Sequence, residues 1–167
     1  MKRNIKALTL TLSLILLFYS CNSKPIPLIK PPDSIGDLKL GKFKTGKEAL
    51  KELFRLHGRK MGLINGYVAD YTNKDGKATV YYSVAKNEKL AGRLISWMIK
   101  RIGKSHEIFR DMKKESFKSQ IFYSVYGMNQ KHFFFCKNDK IIWIAADPQV
   151  AYSFIENFLN SLTINTR

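Results

Sequence analysis

The side chains best suited to metal ligation or nucleophilic chemistry are His57, His106, His132 and Cys136. His132 and Cys136 stand four positions apart in Lys131-His132-Phe133-Phe134-Phe135-Cys136-Lys137, whose apolar middle predicts a strand. Four strand residues span about 13 Å, whereas zinc holds nitrogen and sulfur at roughly 2.0–2.3 Å. The pair cannot share one ion; a site would need His57 or His106 brought in by the fold, and no CxxC or HExxH spacing supplies a ready set. Without such a cluster, Cys136 reads as a small buried hydrophobe and His57 as a helix-end residue beside carbonyl groups.

Nucleophilic catalysis finds no better support. No serine lies in a GxSxG context, the acids Asp70, Asp147 and Glu156 form no spaced carboxylate pair, and glycine-rich phosphate cradles are missing. The reading is therefore a binding domain rather than an enzyme, with no cofactor. Tyr67, Tyr71, Tyr81, Tyr123 and Tyr126 are the candidates for a partner surface, because tyrosine tolerates a half-wet position and contacts partners well. The lysine-flanked aromatic run at 131–137 could stack bases, but a continuous apolar run favours a buried central strand. That places nucleic acid behind an anionic envelope component or an acidic protein as partner.

Charge points the same way. The chain carries 29 Lys and Arg against 13 Asp and Glu, a formal charge of +16. Such a balance favours anionic partners, while the absence of a block of like charges argues against a disordered basic arm.

The elements that must position these residues follow from periodicity and turn chemistry. A strand is expected near 37–43, then a helix from a Thr45-Gly46-Lys47-Glu48 capping box to His57. Segments 62–72 and 77–85 flank Asn73-Lys74-Asp75-Gly76 and predict a hairpin. Asn87 caps a helix over 88–102 that ends at Gly103, with Trp97 and Met98 on its core stripe. Strands are expected at 107–112, 120–126, 132–137 and 140–146, the last two joined by Asn138-Asp139. Asp147 and Pro148 then open a terminal amphipathic helix. This order predicts an α+β fold: an antiparallel sheet of about five to seven strands with three packed helices, its first six elements in the ferredoxin-like order.

Lys2, Arg3 and Lys6 precede an uncharged, leucine-rich run of about 13 residues, shorter than the roughly 20 needed to cross a bilayer, which predicts a secretory signal peptide. Its end, Leu17-Phe18-Tyr19-Ser20-Cys21, resembles the lipobox of bacterial lipoproteins, with Cys21 as the acylated first residue of the mature chain. If Cys21 carries lipid, Cys136 has no disulfide partner. The proline-rich stretch after it reads as a tether, although Ile26, Leu28 and Ile29 could pack along the domain. The expected layout is a signal peptide at 1–20, a lipidated cysteine and tether at 21–33, and a single domain at 34–167. The element order and the tail Asn160-Ser161-Leu162 resemble exported PsbP/Mog1-type domains, some of them lipoproteins.

Together these readings describe an exported cell-envelope lipoprotein, anchored to the cell or outer membrane. Its domain would face the periplasm or exterior as a non-catalytic accessory module for an anionic partner. The alternative is a small-ligand or metal-binding domain, with enzymatic activity left open, that uses His57, His106, His132 or Cys136 in a pocket between sheet and helices.

Overall fold

Strict alternation in the central strands sets the architecture. Along Lys77–Ala85, Ala78, Val80, Tyr82 and Val84 point to one face, and Tyr81, Ser83 and Ala85 to the other. Both faces are apolar enough to need cover, so the sheet is sandwiched between helices. The computed structural model describes residues 27–57, 60–105 and 107–164, with the side chains of His57, Thr163 and Ile164 not among them.

In chain order the elements are β1 (Ser34–Ile35), β2 (Leu38–Thr45), α1 (Gly46–His57), β3 (Leu63–Thr72), β4 (Lys77–Ala85) and α2 (Glu88–Ile102). They continue with β5 (Phe109–Phe117), β6 (Gln120–Gly127), β7 (Gln130–Lys137), β8 (Lys140–Ala146) and α3 (Pro148–Ile164). The strands form one antiparallel sheet in the order β1-β2-β3-β4-β8-β7-β6-β5. The β5–β8 meander folds back so that β8 pairs with β4 and closes two hairpin systems into one sheet.

Among the described residues the expected α+β class and three packed helices are present, but the sheet has eight strands rather than five to seven. The two-residue β1 carries too short a signal to read, and β5 runs on through polar residues to Phe117. The ferredoxin-like order of elements is present without its split βαβ arrangement, because β2 and β3, which α1 joins, are direct antiparallel neighbours and β5 lies at the opposite edge of the sheet.

Helix α3 covers one face, burying Phe154, Ile155 and Phe158 against Tyr71, Val80, Phe133 and Ile144. Helices α1 and α2 share the other face, where Leu53, Leu94, Ile95 and Met98 meet Phe134, Val125 and Ile141. Asn87 starts α2 as its spacing predicts, its Oδ1 accepting the Leu90 N–H at 2.9 Å. Asp147 acts differently. Its carboxylate accepts the Lys77 N–H at 3.0 Å, fastening α3 to the start of β4, while its backbone carbonyl accepts the Val150 N–H.

The described part of the expected tether lies against the domain. Asn65 donates to the Pro27 carbonyl at 2.7 Å, Tyr71 to that of Pro32 at 3.0 Å, and Pro31 is buried. Ile29 packs on the α3-side core and Leu28 stays exposed. The signal peptide and Cys21 lie outside the described residues, and no helix among those described is long and apolar enough to cross a membrane.

Candidate functional site

Between helices α1 and α2, above β4 and β8, lies a cleft of about 510 Å³. That size lies within the range of small-molecule sites. Its walls are Leu53 and Leu56 of α1 and Leu94, Trp97 and Met98 of α2; Met61 and Leu63 close the side where the chain enters β3. The floor is the sheet itself, with Tyr81, Ser83, Ile141, Trp143 and Ala145 pointing up from β4 and β8. At one end stand Phe109 of β5 and Met128 and Gln130 of the β6–β7 hairpin.

Register explains why the floor is aromatic. Tyr81 pairs with Trp143, Trp143 with Phe134 and Phe134 with Tyr123, so one row crosses four strands on a single face. Phe134 stacks on Trp143 with ring centroids 5.2 Å apart and on Tyr123 at 5.5 Å. Such cross-strand pairs stabilise the sheet and also give the cleft a rigid base.

His132 sits in that floor, 2% exposed. Its Nδ1 accepts the indole N–H of Trp143 at 3.2 Å, which requires the proton on Nε2, and Nε2 donates to the Gly127 carbonyl at 2.9 Å. Burial pushes its pKa below the ordinary value, against a smaller opposing pull from the Gly127 carbonyl. His132 is thus a neutral imidazole with both nitrogens occupied. It can hold Trp143 in place but has no free lone pair for a metal and no open site for proton transfer.

The other candidate residues separate. Cys136 lies on the same face of β7 but toward its far end, half-buried, its thiol pKa pushed up by burial, which disfavours the nucleophilic thiolate. His106 and the side chain of His57 fall outside the described residues. Among the described residues no three of His, Cys, Asp and Glu gather as metal ligands.

The tyrosine surface is corrected by strand parity. Tyr67 and Tyr71 face α3 and are buried at 3% and 0% exposure, Tyr67 stacked on Tyr82 at 4.8 Å. Tyr81 and Tyr123 lie on the opposite face, and Tyr126 returns to the α3 face near the sheet edge. Five tyrosines on three strands cannot form one recognition patch when their positions differ in parity. Phe133, Phe134 and Phe135 are likewise core residues and cannot stack bases.

Two features of the cleft escaped sequence reasoning. By spacing Trp97 and Met98 belong to the core stripe of α2, where Met98 is buried, but both also border open space. Met128 is 65% exposed and adopts φ +51° beside Asn129 at φ +59°, a two-residue turn that requires left-handed backbone at both positions. An unbranched apolar residue is a poor choice for that conformation and that exposure. The sequence signal available was a methionine where a turn would ordinarily place Asn or Gly.

The fold and cleft define a class, an antiparallel α+β domain with helices on both faces and an apolar cleft under two of them. No protein-family model, curated protein or solved structure matches the chain.

Proposed function

We propose that this protein is an exported, lipid-anchored cell-envelope component that works as a non-catalytic binding module, with the cleft between α1, α2 and the sheet as its ligand seat. The observation that carries the reading is the cleft itself: about 510 Å³, walled by apolar side chains, with its buried histidine committed to structural hydrogen bonds. A preformed apolar hollow with few polar groups suits an apolar small molecule, since each buried methylene contributes about 0.8 kcal/mol. Of the two readings drawn from the sequence, the pocket between sheet and helices is favoured over a purely electrostatic docking surface. It rests on leucine, methionine and tryptophan instead of a histidine cluster. The export and anchor rest on the signal-like segment and Cys21.

The test is a native mass spectrum of the full-length protein extracted from its own membranes in mild detergent. The expected species begins at acylated Cys21 and carries a small apolar molecule bound without a covalent link. The variant Leu56→Lys, changed at a wall residue that is half exposed, should lose that molecule and keep its acyl chains. An unprocessed N-terminus would overturn the anchor. Equal occupancy in the variant, or no bound molecule in either protein, would overturn the cleft as ligand seat.

A further inference from the structure

At the end of the sheet where β5 begins and β6 turns into β7, two further depressions follow the cleft, each sharing wall residues with the one before it. The first, about 230 Å³, shares Phe109 and Met128 with the cleft. The second, about 370 Å³, shares Arg110 and Tyr126 with the first and adds Lys113, Lys131 and Asp111. An apolar hollow on the α1/α2 face and a cationic hollow on the α3 face are thus neighbours around the end of the sheet, with a third depression between them that shares residues with each.

The cations meet because of a β-bulge. Arg110 pairs with Tyr126 and Lys113 with Ser124, so two residues of β5, Asp111 and Met112, stand opposite one of β6, Val125. In a regular strand, residues three apart face opposite sides; the extra residue puts Arg110 and Lys113 on the same side. Asp111 carries the irregularity at φ +57°. Lys131 pairs with Tyr126 from β7 and completes the row, and the Arg110 guanidinium lies 4.9 Å from the Tyr126 ring centroid. Local carboxylates leave the charge largely free. Asp111 approaches Arg110 only at 3.9 Å with both side chains exposed, and Glu115 accepts hydrogen bonds from Ser124 and Tyr152. Lys113 and Lys131 make no ion pair with any described carboxylate; Lys131 lies over the Tyr152 ring.

We infer that the ligand is a single-chain anionic amphiphile, an acyl or alkyl chain that ends in a phosphate. The chain occupies the cleft, and the phosphate sits among Arg110, Lys113, Lys131 and the Tyr126 hydroxyl. The inference rests on the cleft being the ligand seat, and it adds the head group and the reason for the bulge. A phosphate suits the site better than a neutral polar head because guanidinium, ammonium and phenol groups are all donors, and the first two are charged.

The test uses the full-length protein and three probes below their micellar concentrations: dodecyl phosphate, decyl phosphate and dodecyl maltoside. Both tryptophans of the chain, Trp97 and Trp143, line the cleft, so intrinsic fluorescence reports its occupancy. Dodecyl phosphate should bind at least ten-fold tighter than dodecyl maltoside in low salt, and the gap should narrow at high salt. It should also bind about fifteen-fold tighter than decyl phosphate, the effect of two buried methylenes. The double variant Lys113→Gln/Lys131→Gln, altered outside the cleft, should lose most of the phosphate advantage while binding dodecyl maltoside as before. Equal affinity for the two twelve-carbon probes, or a phosphate preference untouched by the double variant, would overturn the head-group site and leave the cleft standing. Failure of every probe to perturb the tryptophans would overturn the cleft and this inference together.

Discussion

His132 illustrates how one buried side chain can hold a site without doing its chemistry. The Trp143 N–H aimed at Nδ1 is compatible only with neutral imidazole; a second ring proton would face that donor and break the bond. Because burial lowers the folded-state pKa below the ordinary 6.5, the unfolded chain takes up the proton first as pH falls. Stability from His132 is therefore fully present above about 6.5 and declines as pH drops through the folded-state value, with a limiting slope of about 1.4 kcal/mol per pH unit. Urea titrations between pH 7.5 and 5 should show this decline in the native protein and a shallower one in His132→Gln; identical slopes would assign the acid sensitivity elsewhere. Met128 makes a different case. Left-handed backbone costs an ordinary side chain roughly 1 kcal/mol, and asparagine bears it better. Met128→Asn should raise thermal stability by about 0.5–1 kcal/mol while weakening binding of an apolar probe at the cleft mouth. A variant more stable and equally good at binding would show that Met128 has no part in the site.

Elements position the cleft through their ends more than their middles. Helix α2 supplies its wall only if it starts at the right residue, and Asn87 sets that start by accepting the Leu90 N–H. Asn87→Ala should cost about 1 kcal/mol in a denaturant titration and loosen the Leu94–Trp97–Met98 wall; no change in the midpoint would mean that packing alone sets the boundary. Strand β5 depends on its bulge. As an edge strand it presents unpaired backbone groups, and its arginine, lysines and irregular register also discourage pairing with another chain. That protective role and a phosphate-binding role require the same residues. They differ in outcome: edge protection has no consequence for the affinity of a phosphate-bearing probe.

For the whole molecule, two apolar cores back onto one sheet, so strands β4, β8 and β7 are shared by both. Phe133 and Phe134 are adjacent in sequence yet belong to different cores. Removing either helix layer exposes strands that the other layer needs, which couples the two sides. Hydrogen exchange followed by mass spectrometry should find the amides of β4, β7 and β8 slowest to exchange and those of β1 and β5 among the fastest of the strands. Slow exchange at β5 equal to that at β8 would argue for cover on that edge, by a second chain or another segment of this one.

The sequence by itself determined the α+β class, the three helices and most of the turns, because those depend on local chemistry. A 3.6-residue apolar stripe makes α2 and α3 visible, and Asn73-Lys74-Asp75-Gly76 marks the β3–β4 hairpin without reference to any distant residue. It also carried the signal-like segment and the lipobox-like Cys21, which are read by composition. Only the tertiary structure decided where β8 would pair, and therefore that Tyr81, Trp143, Phe134 and Tyr123 would form one row. Strand pairing depends on partners far apart in the chain, and a shift of one residue sends every side chain to the other face. The tyrosines failed as a common surface for this reason: their type was legible, but their parity relative to one another was not. The bulge that gathers Arg110 and Lys113 was hidden in the same way, since an extra residue is defined only against the strand opposite it. The cleft is the extreme case: its residues read as core because they are apolar, and the gap between α1 and α2 depends on where two helices settle on a shared sheet.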